Sequence, residues 1–581
     1  MKAIFKKTAA VVLSLLLGAT TVFSFVGCGG GSGGNYTEAI DENRTQLYVY
    51  NYDGGFGSEW LSKVKARYEA LHANEEYEPG TGKKGIQIMI NNTKNAVTSE
   101  TIKNGQDEVY FTENMYYYSL RYDGALADIT EAVTGKNPYE PKKTVESKFT
   151  DEQQNFYGIE GQREDGKTQY LGIPHYFGSY GIVYNKDLFD QKGYYFINGY
   201  DPEGPLEEKF IYYSTDTKTP GPDGISGNDD DGLPTTYQEF FWLCEYIGRV
   251  NNQVALSWTG QYYTQYLGFL LNALVADYEG LDQMMLNYTF KGSATDLGTV
   301  SGGTFREDAQ DLGINESNGW NLKRQRGVYE ALSFIETLVD TPTYRNGDNA
   351  FNDSYSHLNN QEDFLMSRAD GVTTPIAMTV DGMWWQSESS HVFSSMASRY
   401  GAQYSQENSE LRWMPLPKAT EEKAQEAAEN IKQGKAGNTI ADSLYSLCFV
   451  SSGIDDWKLP IAVDFIQFCN TDESLLEFTT TTNTMKALSY EIGDDVLEQL
   501  SPYGQSLVGF IRNADIVYPY SSSEKYINNA SMFRADTYYR ATVNGATANF
   551  PAQAFHVDGV SAADYFAGMA TYYERTWSTL N

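Results

Sequence analysis

The densest group of possible ligand atoms in the sequence is the acidic stretch PGPDGISGNDDDGLPTTYQEFF at residues 220–241. Hard cations such as Ca²⁺ prefer several oxygen ligands on a flexible loop that contains glycines. We therefore expect a structural calcium site here, with Asp216 and Asp229 in reserve. The expected metal ligands are Asp223, Asp230, Asp231 and Glu239. The loop is not an EF-hand, because its twelfth position, counted from Gly232 as the turn glycine, is Gln238 rather than a glutamate.

A purely structural role is the alternative for the same residues. Thr236 and Glu239 have the spacing of a capping box, so Glu239 could serve the start of the following helix. The aspartates could also favour that helix end electrostatically. Three consecutive acids at 229–231 without a nearby cation would repel one another, which favours calcium. No residue nearby pairs with these acids as a nucleophile or base, so catalysis is not expected.

The elements that precede this stretch alternate between strands and helices. RTQLYVYNYD (44–53), GIQIMINN and DEVYFTEN (107–114) each predict a strand, and Trp60, Val64 and Tyr68 share one face of a helix between the first two. Strand–helix–strand order predicts parallel pairing and an α/β fold. Ligands of such sheets bind at the carboxyl ends of the strands, which directs attention to Asp53 and Glu113.

Length, charge and composition limit the class of protein. A chain of 581 residues is too long for one core, so two or more lobes are expected. The net charge of −34 excludes nucleic acid as a partner, because phosphate binding needs a basic surface. Aromatic residues make up 14% of the chain. They could fill a large core or offer flat faces on which sugar rings stack.

The N-terminus has the pattern of an export signal. Three lysines precede an apolar run that ends at Gly27-Cys28, so residues 1–27 are predicted to be a signal peptide. The ending FVGC resembles a lipobox, which implies that Cys28 is lipidated, and residues 28–43 form a Gly/Ser-rich tether. A plain secretory signal or a single membrane anchor is the alternative. The other cysteines are far apart in sequence and form no disulfide or zinc pattern.

Four segments in a fixed order carry a resemblance to a known family. They are GIPHYFGSYGIVYNKDLF (172–189), AMTVDGMWWQSE (377–388), RWMPLPKA (412–419) and AVDFIQFCNTDESLLEFTTTTNTMKA (462–487). Together with the lipobox, they resemble extracellular solute-binding protein family 1, the substrate-binding lipoproteins of sugar ABC transporters.

The resemblance implies an α/β, two-lobed class II periplasmic-binding-protein fold with a hinge and an interlobe cleft. The implied N-terminal lobe comprises residues 44–168 and 411–475, and the C-terminal lobe comprises residues 169–410 and 476–581. It also implies a monomer, lipid-anchored at a Gram-positive cell surface, that binds a carbohydrate and delivers it to ABC transporter permease subunits. The aromatic content and inserted loops, one of them at about 288–320, favour an oligosaccharide. No catalytic cofactor is expected.

Carbohydrate ligands are held by ring stacking and by polar groups that bond the hydroxyls. The predicted ligand-binding residues are Asp53, Phe56, Glu113, Tyr176, Tyr180, Trp258, Tyr262, Asp381, Trp384, Trp385 and Asn483. Trp258 follows a predicted turn and precedes Gly260, which favours an exposed ligand contact. Trp384 and Trp385 are adjacent and cannot both face the cleft. Trp60 lies on the apolar stripe of its helix and is as well explained by the core.

Two other functions stay open at this point. A surface carbohydrate hydrolase would need two carboxylates about 5–10 Å apart, and a chain with 77 acidic residues does not exclude such a pair. The second open function is that of a solute-binding protein for a peptide or a polyol. No serine–histidine nucleophile signature, phosphate loop or HExxH pattern is present. We therefore expect a binding protein rather than an enzyme.

Overall fold

The fold is described by a computed structural model that covers residues 36, 38–161, 166–213 and 215–580. Strands β1–β19 in these ranges are Thr45–Tyr52, Ile86–Thr93, Val109–Thr112, Gly158–Ile159, Gln169–Tyr170, Ile173–Pro174, Tyr180–Asn185, Val254–Ser257, Gly292–Ala294, Gly298–Ser301, Thr304–Glu307, Leu312–Ile314, Ile376–Gly382, Leu411–Met414, Asn438–Ala441, Leu447–Val450, Ala514–Val517, Ala541–Val543 and Ala546–Ala548.

Helices alternate with these strands along most of the chain. Helices α1–α20 in the same ranges are Glu59–Leu71, Ser99–Asn104, Tyr117–Tyr122, Thr130–Thr134, Asp151–Tyr157, Lys186–Lys192, Tyr237–Glu245, Tyr263–Thr289, Arg326–Asp340, His357–Met366, Trp385–Glu388, Ser390–Tyr400, Glu421–Lys432, Leu459–Cys469, Asp472–Thr482, Asp494–Leu497, Pro502–Arg512, Glu524–Asn528, Pro551–Asp558 and Ala562–Trp577. Short 3₁₀ or π turns lie at Glu146–Lys148, Leu206–Lys209, Tyr246–Val250, Gly319–Arg324, Pro342–Tyr344, Gly347–Phe351, Ala402–Tyr404 and Ala530–Met532.

Two separate sheets define two lobes. The first lobe holds a five-stranded sheet in the order β2-β1-β3-β16-β6, in which β1 pairs in parallel with β2 and β3. The second lobe holds a four-stranded sheet in the order β14-β7-β13-β8, in which β13 pairs in parallel with β8 and antiparallel with β7. Each sheet has its own apolar core. The parallel pairing predicted from strand–helix–strand order is therefore confirmed for β1–β3.

The chain crosses between the lobes three times. It leaves the first sheet after β6 to form β7, returns between β15 and β16, and leaves again after α15 to form α17. The crossing between β6 and β7 is hydrogen-bonded to the one between β15 and β16. Oδ1 of Asp442 accepts from the Gly178 N–H at 3.2 Å, and the Ser443 N–H donates to the Gly178 carbonyl at 2.8 Å. The predicted two-lobed α/β fold with several interlobe crossings is confirmed.

The predicted lobe boundaries need correction in the second half of the chain. Strand β14 pairs with β7 in the second sheet, from Leu411↔Asn185 to Met414↔Ile182, so residues 411–441 do not join the first lobe as predicted. The chain re-enters the first sheet only at β16. The boundary predicted at 475 falls within α15, whose Glu477 forms an ion pair with Arg67 of α1. Strand pairing decides the first boundary and helix packing decides the second, and local sequence reveals neither.

Local periodicity nevertheless predicts the individual elements well. Trp60, Val64 and Tyr68 are buried along one face of α1, as the spacing predicts. The predicted insertion at about 288–320 forms two antiparallel strand pairs, β10 with β11 and β9 with β12. No helix within the described ranges is long and apolar enough to cross a membrane. The predicted signal peptide and Cys28 lie outside the described residues.

Candidate ligand-binding cleft

Trp384 lies where the two lobes meet. It follows β13 of the second lobe, and its ring centroid is 6.2 Å from that of Phe56 in the first lobe and 5.1 Å from that of Tyr180. The indole also lies directly against Gly55, where a Cβ atom would come within 1.7 Å of the indole Cδ1. Only glycine at position 55 permits this approach. The loop between β1 and α1 is therefore shaped to receive the indole of the opposite lobe.

Aromatic rings from both lobes continue on either side of Trp384. Tyr180 stacks on Phe269 of α8 with centroids 4.5 Å apart and an interplanar angle of 3°. Tyr266, one turn earlier in α8, contacts Tyr180 edge to face at 5.1 Å. From the first lobe, Phe56 packs on Tyr176 at 4.8 Å. The joint is thus built from rings of both lobes that differ in orientation, and aromatic rings are the side chains on which flat apolar faces stack.

Two carboxyl groups face this joint from opposite lobes with unusual protonation. Glu113 ends the segment after β3, and its Oε1 is buried with no hydrogen-bond partner among the described residues. Burial, and then the charge of Glu388, raise the pKa of Glu113 to about 8. Asp381, fully buried at the end of β13, has its pKa raised to about 7 by burial and then by Glu388. Both carboxyls therefore keep a proton at a pH where a solvated acid would have lost it.

Glu388 is held ionised by a set of polar partners. The Gln361 amide donates to Glu388 Oε2 at 2.9 Å, and His357 Nε2 lies 3.6 Å from Oε1. Lys94 of the first lobe approaches the same oxygen at 3.9 Å, which makes an ion pair across the cleft. Burial opposes ionisation, but His357, Gln361 and Lys94 together lower the pKa of Glu388 below its usual value. None of Glu388, His357, Gln361 and Lys94 was predicted from the sequence.

A further polar contact between the lobes lies beyond β3. Arg534 Nη2 donates to Asn114 Oδ1 at 3.1 Å, and Arg534 Nε pairs with Asp536 at 3.3 Å. Asn114 adopts a left-handed φ of 57° just after Glu113. Sequence reasoning missed Arg534 as well, because 420 residues separate it from Asn114. Its proximity to predicted Glu113 arises only in the folded chain.

The structure places the remaining predicted residues of the first lobe, and Tyr262 just before α8, around this joint. Asp53 is half-buried at the end of β1, and its N–H donates to the Thr93 carbonyl at 2.9 Å. Tyr176 is buried beneath Phe56, where its hydroxyl accepts from Trp60 Nε1 and donates to Asn51 Oδ1, both at 3.1 Å. Tyr262 is half-buried, with its ring 5.9 Å from that of His357.

Trp258 does not line the cleft, and the prediction of an exposed ligand contact is wrong. Its side chain is fully buried in the second core, and its Nε1–H donates to the Ala350 carbonyl at 2.9 Å. The turn after β8 is covered by residues 347–355. At Gly260, a Cβ atom would come within 2.2 Å of the Asn349 carbonyl. A glycine that marks an open turn in the sequence is here a point of close backbone contact.

Trp385 and Asn483 also have structural positions instead of the predicted ligand contacts. Trp385 is fully buried against Phe393 and Tyr503, so of the adjacent pair it is Trp384 that meets the other lobe. Asn483 ends α15 with a left-handed φ of 57°, and its Oδ1 accepts from the Ser501 N–H at 2.9 Å. Asn tolerates this conformation at a helix end better than most residues.

The acidic loop lies on the second lobe, and three of its aspartates engage or bury their carboxylates within it, whereas Asp229 is exposed. Asp223 accepts from the Ile225 N–H and the Asn228 amide, and Asp231 accepts from the Gly227 N–H. Oδ1 of Asp230 and Oδ1 of Asp231 are buried without a hydrogen-bond partner within the part of the chain that is described. Burial, and then the charges of Asp223 and Asp231, raise the pKa of Asp230 to about 7.

Glu239 is separate from these aspartates, which corrects its assignment as a fourth metal ligand. One oxygen accepts from the Tyr200 hydroxyl at 2.6 Å, and the other accepts from the Thr235 N–H and hydroxyl at 2.6 and 2.7 Å. Its own N–H donates to the Thr236 hydroxyl. Glu239 therefore belongs to the start of α7. Across residues 36–580 as described, no three Asp, Glu, His or Cys side chains form a group that could hold a metal ion.

Known proteins are similar to this chain in structure over nearly its whole length, but not in sequence. No family model and no curated protein matches the sequence. Similar solved structures include maltose-bound MalE3 of T. maritima (12% identity, 91% of this chain and 99% of that chain, TM-score 0.49). Another is the GacH receptor of Streptomyces glaucescens (13% identity, 93% of this chain and 100% of that chain, TM-score 0.49). A third is the cyclic alpha-maltosyl-1,6-maltose binding protein of Arthrobacter globiformis (13% identity, 92% of this chain and 100% of that chain, TM-score 0.48). The two-lobed fold is defined by the chain's own two sheets and the three crossings that join them.

Proposed function

We propose that this protein is an extracytoplasmic receptor that captures a carbohydrate, most simply an oligosaccharide, between its two lobes and delivers it to an ABC importer. The observation that carries the proposal is the joint around Trp384. There, rings from both lobes and the carboxyls of Glu113, Asp381 and Glu388 converge at the carboxyl ends of strands. Ligands of α/β sheets bind at this edge.

The chemistry of the joint suits sugars better than other small molecules. A sugar ring has C–H faces that stack on aromatic rings, and hydroxyl groups that both donate and accept. Oε1 of Glu113 is a buried acceptor without a donor from the described residues, and a ligand hydroxyl would satisfy it. The ion pair between Lys94 and Glu388 joins the lobes at the same place. A ligand bound here would therefore contact both lobes and favour their closure.

The affinity of the cleft is the direct test. In Trp384→Ala the stacking face at the joint is lost, and we expect about a ten- to hundredfold loss of affinity for the cognate sugar, in the range seen for well-packed aromatic anchors. Calorimetry with maltose, cellobiose, chitobiose and their longer oligomers measures it. Glu113→Gln, which keeps the shape of the side chain, is a milder second variant. Trp457→Ala, which removes an exposed indole, is the matched control.

Two outcomes would contradict the proposal. If no sugar of the panel binds the wild-type protein, the carbohydrate assignment fails. If a sugar binds and neither cleft variant weakens it more than Trp457→Ala does, then the site lies elsewhere. Melting temperatures of all variants show whether a loss of affinity comes from a loss of folded protein.

Lipid attachment at Cys28 and docking on permease subunits complete the proposed role. They are supported by the export signal and by the four family-like segments of the sequence. We expect Cys28→Ala to be released from the cell-envelope fraction or to stay unprocessed. A Cys28→Ala protein that is processed and fractionates like the wild type would contradict lipid anchoring.

The protonation of the cleft carboxyls favours one second candidate, a carbohydrate hydrolase. Glu113 has a raised pKa and Glu388 a lowered one, and the charge of Glu388 acts on Glu113. Such a division suits a general acid and an ionised partner. Incubation of the protein with each oligosaccharide, followed by mass spectrometry, distinguishes the two functions. A receptor returns the sugar intact, whereas a hydrolase releases shorter products, and Glu113→Gln would abolish that release.

A further inference from the structure

A cavity lies within the second lobe, away from the joint around Trp384. Its volume is about 440 Å³, and it opens between the acidic loop, the edge strand β14 and helix α17. We call it the β14 pocket, defined by Asp229, Asp230, Arg412, Trp413, Gly509 and Phe510. Cavities that bind small molecules have volumes of about 300–1,000 Å³. The β14 pocket is therefore large enough for a small ligand.

Arg412 gives this pocket a charged group with unused donors. The side chain is only 9% exposed, and Nη2 pairs with Glu410 at 3.0 Å. Its Nε lies 3.9 Å from the Asp229 carboxylate, beyond hydrogen-bond distance. Neither Nε nor Nη1 donates a hydrogen bond to any residue that the structure describes. Buried donors are rarely left unpaired in native proteins, so this guanidinium calls for acceptors that a ligand would bring.

Acceptors and apolar surface complete the lining. Oδ1 of Asp230 is buried and, within the described ranges, accepts no hydrogen bond. Tyr184, Trp413 and Phe510 add aromatic surface to the wall. The pocket thus offers donors, an acceptor and apolar faces at once.

The balance of charge selects the class of ligand. One guanidinium faces three aspartates, at 223, 229 and 230, so a free anion is repelled. A purely apolar ligand would leave the Arg412 donors and the Asp230 acceptor unpaired. A neutral polyhydroxylated molecule supplies both acceptors and donors, and its C–H faces fit the aromatic wall. We propose that the β14 pocket binds a neutral sugar of one or two rings, independently of the interlobe cleft.

Gly509 provides a way to fill the pocket without disturbing its walls. It lies in α17, it lines the pocket, and a Cβ atom at this position would meet no atom within 4 Å. Gly509→Phe should therefore occupy the pocket while keeping the helix. Arg412→Met removes the unused donors and keeps much of the side-chain volume. Arg512→Phe, which adds the same ring at an exposed position of the same helix, is the matched control.

The experiment titrates glucose, galactose, N-acetylglucosamine, maltose and chitobiose into each variant by calorimetry. We expect at least one sugar whose binding is at least tenfold weaker in Gly509→Phe and in Arg412→Met. The same binding should persist in Arg512→Phe and in the cleft variants Trp384→Ala and Glu113→Gln. Melting temperatures confirm that each variant is folded.

The pocket proposal and the cleft proposal can fail separately. If every sugar that binds is weakened only by the cleft variants, the β14 pocket is not a sugar site and the cleft assignment stands. If no sugar loses affinity in both Gly509→Phe and Arg412→Met, the pocket proposal is overturned. Binding that is lost in Gly509→Phe and Arg412→Met, and kept in Trp384→Ala, supports the pocket whatever the cleft binds.

Discussion

Trp258 and Trp384 show how differently one residue type is used within a single sheet. Both follow a strand of the second sheet, β8 in one case and β13 in the other. The indole of Trp258 is enclosed by the 347–355 segment and bonded to the Ala350 carbonyl, whereas that of Trp384 reaches Gly55 in the other lobe. The first therefore contributes to stability, and the second to the joint between the lobes.

Replacement of Trp258 tests this division at the residue scale. Trp258→Ala should lower the free energy of unfolding by about 3–5 kcal/mol, because it leaves a large cavity in the second core. It also leaves the buried Ala350 carbonyl without its donor. Chemical denaturation measures the loss, with exposed Trp457→Ala as control. An unchanged stability together with a large loss of sugar affinity would restore Trp258 to the cleft.

At the scale of elements, the acidic loop combines a tight network of its own with unsatisfied oxygens. Asp223 and Asp231 hold the loop backbone through hydrogen bonds, while Oδ1 of Asp230 and Oδ1 of Asp231 lack a partner among the described residues. Glu239 is committed to α7. Calcium binding by this loop stays a prediction, and among the described residues Asp223, Asp230 and Asp231 do not by themselves form a group of three that could hold the ion.

Chelation tests the calcium prediction. If the loop binds Ca²⁺, a chelator should lower the melting temperature and added calcium should restore it, because the ion stabilises only the folded state. Asp231→Asn should reduce this response, and Glu203→Gln, which removes an exposed charge outside the loop, should not. Elemental analysis of the purified protein gives an independent measurement. If no metal is bound and the chelator has no effect, the calcium prediction is wrong and the loop is held by its hydrogen bonds only.

At the scale of the whole molecule, buried carboxyls gather at the cleft and the hinge. Asp442 lies in the crossing between β15 and β16, and burial raises its pKa to about 7. Asp381 and Glu113 at the joint also have raised pKa values, about 7 and about 8. In the folded protein these groups hold protons more tightly than in the unfolded chain, so their contribution to stability is complete only below pH about 4.

Stability should therefore fall as the pH rises from about 4 to about 8, through the folded pKa values of these carboxyls. A buried aspartate such as Asp442 contributes on the order of a few kcal/mol to this loss. Asp442→Asn keeps an oxygen that can accept from the Gly178 N–H and removes the ionisation. Its stability should depend less on pH than that of the wild type, measured by denaturation at steps of pH. Exposed Asp370→Asn is the control, and equal slopes for the wild type and Asp442→Asn would contradict the prediction.

The sequence by itself determined the elements and their class. Alternating apolar residues in β1 and the helical spacing of Trp60, Val64 and Tyr68 express local periods that follow from the geometry of a strand and of a helix. The polar composition near 288–320 indicated an inserted hairpin or surface loop. The order of strands and helices then limited the fold to an α/β sheet, and the length of the chain required more than one lobe.

Only the tertiary structure decided which side chains meet. Whether an indole after a strand is covered depends on segments far along the chain. Residues 347–355, for example, cover Trp258. The pKa of Glu388 is lowered by Gln361, His357 and Lys94, and Lys94 is distant in sequence. Burial, charge pairing and the edge of a sheet are properties of contacts between remote segments, so no local pattern specifies them. The sequence could nominate Glu113, Asp381 and Trp384 for the cleft, but only folding brings them together, and it alone forms the β14 pocket.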